Sequence, residues 1–163
     1  MPKGKGAVEI AQDGLRRTKG DGVQVAVVHK NRILLLKRRD VPFIRRFVAN
    51  PGKWSLVAGG RKRGEAYMDT AYREVTEETG LGRKQLKGHG RGTVVWVYDR
   101  GKGTTWSNML FVLRSSSRSI RLNLESSDYK WVTFDELSSM EYLNETIMDH
   151  EAALRRIRKA ICL

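Results

Sequence analysis

The residues best suited to chemistry are three glutamates, Glu74, Glu77 and Glu78, in a segment whose apolar spacing predicts a helix over residues 66–79. At about 100° per residue, Glu77 lies about 60° to one side of Glu74 and Glu78 lies about 40° to the other. The three carboxylates share one narrow arc, although their repulsion costs a helix roughly 0.2–0.5 kcal/mol per pair. Such an oxygen-rich ridge suits Mg²⁺ or Mn²⁺. Three glutamates alone would favour a solvated acidic face, so the residues around them must decide between that interpretation and a metal site.

That setting is a pattern of fixed residues that runs from Gly59 to Leu81. In chain order it consists of Gly59, five positions, Glu65, seven positions, Arg73-Glu74-Val75, one position, Glu77-Glu78, one position, Gly80 and Leu81. A pattern this specific arises by chance at a frequency on the order of 10⁻⁹ per start position. It resembles the Nudix box with every fixed position filled. A weaker strand pattern around it extends the resemblance to most of residues 22–160.

The resemblance to the Nudix (MutT-like) hydrolase family implies both a fold and an activity. The implied fold is α/β, an α/β/α sandwich around a mixed β-sheet, in which the box forms a loop–helix–loop. The implied activity is that of a pyrophosphohydrolase, which uses Mg²⁺ or Mn²⁺ to cleave a nucleoside diphosphate linked to another moiety. Divalent ions suit this reaction because they neutralise the pyrophosphate charge and lower the pKa of a bound water.

Carried over by position, the implied metal-binding groups are the carboxylates of Glu65, Glu74, Glu77 and Glu78 and the backbone carbonyl of Ala58. Glu65 would bind directly or through water, and Ala58 stands where relatives often have glycine. Arg73 would hold a neighbouring glutamate through a charge-assisted hydrogen bond, so the implied catalytic residues are Glu77, Glu74 and Arg73. Gly59 would allow the backbone to approach the helix closely, and Gly80 would end the helix. The base that deprotonates water stays open between the box glutamates and three carboxylates outside the box, Glu125, Asp128 and Glu145.

Basic residues outnumber acidic ones by 31 to 18, which gives a net charge of +13 and a pI near 10.2. A field of this sign concentrates phosphorylated ligands and is typical of nucleic-acid binders. The alternative is that the basic surface only keeps the protein soluble and binds no specific ligand. Four arginines near the box are candidates for binding substrate phosphates: Arg38, Arg39, Arg61 and Arg63.

Residues beyond the box bear on the type of substrate. Relatives that act on ADP-ribose carry a proline where this chain has Val97. Tyr98 stands near the position of a tyrosine found in relatives that act on dinucleoside polyphosphates, and it is therefore a candidate substrate-binding residue. A half-buried strand position is the alternative explanation for Tyr98. Trp96, Tyr98 and Trp106 could equally stack a nucleobase.

The elements that must position these groups follow from hydrophobic patterning. Besides the box helix, the chain predicts strands over 23–29, 33–36, 54–57, 93–98, 108–113 and 129–133, a helical turn at 135–137 and a helix over 144–161. Asn31-Arg32 predicts the turn of a first hairpin. Residues 40–53 predict a packed loop or short helix. Residues 1–20 predict a mobile basic arm, and residues 21–163 predict a single Nudix domain.

Composition excludes several other classes of protein. Cys162 is the only cysteine, which excludes a disulfide framework and suits a reducing compartment, so we expect a cytoplasmic protein. No apolar run approaches the ~20 residues that span a bilayer. The first residues lack the apolar core of a secretory signal, so we expect none. His29, His89 and His150 lack metal-ligand spacing and are interpreted as structural or surface residues.

Three functions stay open. The first is hydrolysis of a nucleoside triphosphate or a dinucleoside polyphosphate. The second is a pyrophosphohydrolase or decapping-type action on the 5′ end of RNA, which the basic surface would contact. The third is a non-catalytic module that binds nucleotide or RNA, and a homodimer is open for each. We favour the first, which the complete box motivates. The intact glutamates argue against the third, because binding alone would not need to tolerate their repulsion.

Overall fold

The protein folds around one mixed β-sheet. The computed structural model describes residues 8–10, 16–18, 20–45, 51–99, 104–139 and 150–161. In chain order the elements are β1 (Val8–Ile10), β2 (Arg16–Thr18), β3 (Gly22–His29), β4 (Arg32–Arg38), α1 (Pro42–Arg45), β5 (Trp54–Ser55), β6 (Val57–Gly60), α2 (Tyr67–Thr79), β7 (Leu86–Asp99), β8 (Thr104–Ser115), β9 (Ser126–Thr133), α3 (Phe134–Ser138) and α4 (His150–Ile161). A short 3-10 turn, Arg83–Gln85, precedes β7.

The strand β3 lies in the middle of the sheet. It runs parallel to β8 and antiparallel to β4 and β6. Beyond these neighbours, β7 pairs antiparallel with β8, while β5 and β9 pair antiparallel with β4. Parallel and antiparallel pairs in one sheet, together with the helices, confirm the predicted α/β fold.

Alternation along β3 divides its side chains between two cores. Val23 and Val25 pack in the cluster that contains the apolar stripe of α2. Ala26 and Val28 pack in the other cluster, with Ile157 of α4. The box helix and α4 therefore cover opposite faces of the sheet, which gives the three layers expected of the sandwich.

The box helix is confirmed, and the first hairpin needs a correction. The helix predicted over residues 66–79 spans Tyr67–Thr79, and Gly80 ends it in the left-handed conformation with a φ of 72°. The hairpin turns at Lys30 and Asn31 rather than at Asn31-Arg32, because Arg32 already pairs with His29. Lys30 adopts a φ of 53° to make this tight turn.

Other predicted strands differ mainly in their ends. The segments predicted at 93–98 and 108–113 extend to 86–99 and 104–115, because ladder pairing continues through residues with little β preference, such as Gly88. The strand predicted at 54–57 is divided into β5 and β6. The helix α1 falls within the predicted loop 40–53, and the last helix is described from His150 onward.

The described part of the predicted arm contributes two strands to the sheet. β1 pairs antiparallel with β2, and β2 pairs parallel with the start of β8. The mobility of residues 1–20 and the domain boundary at residue 21 stay predictions. None of the described helices is long and apolar enough to cross a membrane.

Candidate active site

The apolar stripe of α2 fixes the box helix against the sheet. Ala71 and Val75 are completely buried, and the hydroxyl of Tyr72 accepts a hydrogen bond from the N–H of Gly88 at 2.6 Å. On the glutamate side of the helix, a Cβ on Gly59 would lie 2.0 Å from the carboxyl carbon of Glu74. Only glycine lets the β6 backbone approach this carboxylate so closely.

A cavity of about 470 Å³ opens beside the carboxylate ridge. We call it the catalytic cavity after the predicted role of the box glutamates. It is lined by Asp21, Gly22, Gln24, Arg38, Ser55, Ala58, Gly59, Gly60, Glu74, Glu77, Val97, Trp106, Asn108 and Glu125. Two box glutamates, the box glycine and a carboxylate far along the chain thus converge on one cleft.

Arg73 holds three glutamates of the box at once. Its Nη1 donates to Glu74 Oε1 at 2.6 Å and to Glu77 Oε2 at 3.3 Å. Its Nε donates to Glu65 Oε1 at 2.8 Å, and its Nη2 donates to the carbonyl of Gly60 at 2.8 Å. These charge-assisted bonds orient the ridge and offset part of its negative charge. The predicted role of Arg73 in positioning a glutamate requires contacts of this kind.

Glu65 is engaged through both carboxylate oxygens. Besides Oε1, its Oε2 accepts from Arg73 Nη2 at 3.0 Å, from the N–H of Lys62 at 3.0 Å and from the hydroxyl of Thr70 at 2.9 Å. The bonds from Arg73 and then Lys62 lower the pKa of Glu65 to about 2. Direct metal ligation by Glu65 would require it to give up one of these donors, and its metal role stays a prediction.

The three ridge glutamates differ sharply in burial. Glu74 is 9% exposed and Glu78 is 2% exposed, whereas the Glu77 side chain is 51% exposed. Burial raises the pKa of Glu74 above its ordinary value, against the lowering effect of Arg73. Burial likewise raises the pKa of Glu78 to about 8, with smaller contributions from Glu125 and Glu74 that Arg38 opposes. The ridge therefore resists carrying its full negative charge without a compensating cation.

This donor set fits a divalent cation. Oε1 of Glu78 is buried and has no hydrogen-bond partner among the described residues. A hard cation satisfies surplus carboxylate oxygens of this kind. Within the described ranges, no three His, Cys, Asp or Glu side chains already form a metal cage. Arg73 engages one oxygen each of Glu74 and Glu77, which leaves the second oxygen of each carboxylate outside these bonds.

The four candidate arginines separate into different roles. Arg38 lines the catalytic cavity and donates from Nε to Ser55 Oγ at 3.1 Å. Arg39 instead donates to the carbonyls of residues 124 and 126, at 2.8 Å and 3.0 Å, and so braces the segment that carries Glu125.

The other two arginines lie on the box loop and do not line the catalytic cavity. Arg61 pairs with Asp21 at 2.7 Å and lies over the ring of Tyr67. It also donates to the carbonyl of Glu65 at 2.9 Å within the loop, while its pairing with Asp21 ties the loop to the start of β3. Arg63 is exposed. Of the four, Arg38 is thus the one that the structure places at the cavity wall.

The three candidate bases outside the box also separate. Glu125 lines the cavity, and its negative charge helps to raise the pKa of both Glu74 and Glu78. Asp128 is exposed on β9, and its Oδ1 accepts from the N–H of Tyr129 at 2.7 Å. Glu145 lies outside the described residues. Within the described part of the chain, Glu125 is therefore the candidate that lies with the ridge.

Two polar residues at the cavity were missed by sequence reasoning. Gln24 and Asn108 are 7% and 8% exposed, yet both line the cavity. The sequence signal that could have identified them is an amide side chain within an otherwise mostly apolar strand. Among the aromatic candidates, Trp106 lines the cavity and Trp96 does not, while the side chain of Tyr98 lies outside the described atoms.

Comparisons with known proteins agree with this arrangement. The NUDIX domain model matches residues 18–157, which is most of the chain. An RNA pyrophosphohydrolase of Pelagibacter ubique is 25% identical over 134 residues, which cover 74% of this chain and 80% of that protein. The nucleoside triphosphatase NudI of an Enterobacter species is 32% identical over 101 residues, which cover 58% of this chain and 71% of that protein.

Among solved structures, the Ap4A hydrolase of C. elegans in a binary complex superposes with a TM-score of 0.67 at 17% identity. The match covers 86% of this chain and 96% of that one, and at this identity it shows the fold alone. The span matched by the family model contains the complete box and the strands that line the cavity. The chain therefore belongs to the Nudix (MutT-like) family of hydrolases, which act on phosphoric anhydride bonds.

Proposed function

We propose that this protein is a metal-dependent pyrophosphohydrolase that cleaves a nucleoside diphosphate linked to another moiety. Its substrate would be of the nucleoside triphosphate or dinucleoside polyphosphate type. The observation that carries the proposal is the catalytic cavity, where Glu74, Glu77 and Glu125 face the same space as Arg38 and Trp106. These groups suit the parts of a nucleoside polyphosphate: the carboxylates can hold cations, the guanidinium can bind a phosphate and the indole ring can stack on the base.

Glu74, Glu77 and Glu78, with the carbonyl of Ala58, are the groups that would hold Mg²⁺ or Mn²⁺. The bound ion would neutralise phosphate charge and lower the pKa of the attacking water. Arg73 keeps Glu74 and Glu77 on one side of the cavity through its shared Nη1. Because one guanidinium holds both groups, their spacing is set before substrate arrives.

Glu125 is proposed as the base that takes a proton from the attacking water. It lies across the cavity wall from the helix, on a segment whose carbonyls Arg39 fixes on both sides. An ionised carboxylate accepts the proton at its oxygen, and water in the open cleft then returns it to solvent. Arg38, held by Ser55, is proposed to bind an outer phosphate oxygen.

The apolar wall of the cavity is proposed to hold the nucleobase. Trp106 supplies a stacking face beside Val97, its partner across the strand pair. Gln24 and Asn108 place amide groups on adjacent strands, where they can hydrogen-bond a base edge. The similarity to a nucleoside triphosphatase supports a substrate that carries a base and a triphosphate.

The test is a substrate panel with product identification by mass. We expect anhydride cleavage with Mg²⁺ or Mn²⁺, and a rate lower by about 10²–10³-fold in the Glu77→Gln, Glu78→Gln double variant. Glu151→Gln on α4 removes an exposed carboxylate far along the chain from the box, and it serves as the control. Full activity in the double variant, or no cleavage across the panel, would contradict the proposal. Lack of divalent-ion binding by calorimetry would then favour the non-catalytic module.

A second candidate function is action on the 5′ end of RNA. Two observations favour it, the net charge of +13 and the similarity to an RNA pyrophosphohydrolase over 74% of this chain. An enzyme of this kind should bind RNA more tightly than a mononucleotide, with an affinity that falls steeply as salt rises. A flat salt response would remove this candidate.

A further inference from the structure

A second cavity, of about 350 Å³, lies at the other end of the strands that line the catalytic cavity. We call it the distal cavity, and the polar residues that line it are Lys30, Lys84, Gln85, Lys87, Arg114, Ser115 and Ser116. Gln24 of β3 lines the catalytic cavity and Val28 lines the distal one. Four residues of strand separate them by about 13 Å. The two cavities are therefore separate sites on one scaffold.

Strand register brings the cations of the distal cavity together. Lys87 of β7 lies directly opposite Arg114 of β8, and Arg114 lies opposite Val28 of β3. Lys30 lies in the turn that follows β3, two residues after Val28, and its side chain lines the same cavity. Like charges in directly opposite positions destabilise a sheet. The repulsion between Lys87 and Arg114 therefore costs stability, and the packing of the sheet does not need two cations in this row of β7 and β8.

The charges of this row are left without acidic partners. The residues that line the distal cavity include no Asp or Glu. Arg114 is anchored by donating to the carbonyl of Ala160 in α4. No described residue forms a hydrogen bond or an ion pair with the side chain of Lys30, Lys84 or Lys87. By contrast, Arg39, Arg61 and Arg73 are all held by backbone or carboxylate oxygens.

We infer that the distal cavity binds a phosphate group. Three flexible ammonium groups and one anchored guanidinium around one small cleft match a compact, multiply charged oxyanion. The inference rests on charge and register and not on the proposed hydrolysis. The phosphate could be free in solution or part of an RNA backbone, and the experiment separates these two sources.

The full chain, labelled with ¹⁵N, is titrated in EDTA and constant chloride with inorganic phosphate, and separately with a short single-stranded RNA that carries a 5′-hydroxyl. The readout is the shift of the amide signals of Lys87, Arg114 and Ser116. EDTA removes divalent ions, so a failure of the proposed hydrolysis cannot imitate a failure of this site. The test variant is Lys30→Gln with Lys87→Gln. The matched control, Arg121→Gln with Arg155→Gln, removes the same charge from exposed positions.

We expect saturable shifts at these amides and binding weakened roughly tenfold in the test variant, since each exposed cation contributes modestly. The control variant should bind within about twofold of the wild type. Saturation by phosphate assigns a free phosphate as ligand, and saturation by RNA alone assigns a backbone phosphate. Absence of shifts with both probes, or equal weakening in both variants, would overturn the inference. Circular dichroism checks that each variant is folded.

Discussion

The two cavities occupy opposite ends of β3 and β8. Each brings side chains of like charge together, but Glu74 and Glu77 of the catalytic cavity are paired with Arg73, whereas the lysines of the distal cavity are exposed. At the catalytic end, Glu74 and Glu78 are almost completely buried, and Arg73 binds Glu74 together with two other glutamates. At the distal end, Lys30 and Lys87 are exposed and reach into solvent. Water screens exposed charges, whereas burial shifts their protonation. The catalytic end is thus preorganised, and the distal end only concentrates charge.

The largest effect expected of a single substitution is at Glu125. Glu125→Gln keeps the shape of the side chain but cannot accept a proton, so kcat should fall by about 10²–10⁴-fold. Asp128→Asn, three residues away and outside the cavity, should leave kcat within about twofold. Steady-state kinetics on the best panel substrate measures both. Equal losses in the two variants would place the base elsewhere.

Arg73→Ala tests whether the catalytic end is preorganised by one side chain. The change frees Glu65, Glu74 and Glu77 from their shared donor, so kcat should fall by about 10²-fold as the ridge loses its geometry. The change also leaves the buried carboxylate of Glu74 without its cation, so the free energy of unfolding should fall by about 1–3 kcal/mol. Urea unfolding and kinetics measure the two effects.

Arg73→Lys is the matched control for this prediction. Lysine keeps the charge but lacks the planar fork that reaches three carboxylates. It should recover part of the stability and little of the rate. A lysine variant with full activity would show that charge alone, and not orientation, is what the ridge requires.

The buried carboxyl of Glu78 predicts an unusual pH dependence of stability without ions. Its pKa is raised from 4.5 to about 8, so its contribution to stability is complete below pH 4.5 and is lost as pH rises through 8. Glu78→Gln cannot ionise and should therefore become more stable than the wild type as pH rises, by roughly 2–4 kcal/mol at pH 8. Urea unfolding in EDTA at pH 5, 7 and 8 measures the difference. A constant difference would contradict the assigned burial effect.

Glu65 predicts the opposite trend within the same box. Its pKa is lowered to about 2, so its stabilising effect is present above pH 4.5 and is lost as pH falls toward 2. Glu65→Gln should be less stable than the wild type at pH 7, with a gap that closes in acid. The same unfolding series, extended to pH 3, measures it.

The smallest effect is expected at the distal end. Lys87→Gln removes a like charge opposite Arg114, so the free energy of unfolding should rise by about 0.2–1 kcal/mol. Salt screens exposed charges, so the gain should shrink at 1 M sodium chloride. Urea unfolding at two salt concentrations checks this. A gain that is independent of salt would mean that packing, and not repulsion, is responsible.

Sequence reasoning was strongest where structure is local. The box helix and its stop at Gly80 follow from helical period and backbone freedom, and the structure has both. The close backbone approach at Gly59 was implied by the resemblance to the Nudix box, and the structure has it as well. It was weakest where strands pair across long separations. The turn at Lys30 and the extension of β7 and β8 depend on ladder pairing that no local preference reveals.

The roles of the arginines illustrate the same limit. Charge alone made Arg38, Arg39, Arg61 and Arg63 equivalent candidates. Arg61 is held by Asp21, and Arg39 binds carbonyls more than 80 residues away along the chain. Only the fold could distinguish these two from Arg38, because the partners come from distant segments.

By itself, the sequence determined that three carboxylates lie on one arc of a helix, since i to i+4 hydrogen bonds fix the angle between successive side chains. Only the tertiary structure decided that Glu78 is buried, that Glu77 is exposed and that Glu125 joins them. It also decided that the cations of β7, β8 and the first hairpin meet in one cleft. The physical reason is that helical phase is set within one turn, whereas burial and partners are set by segments that pack together from distant parts of the chain.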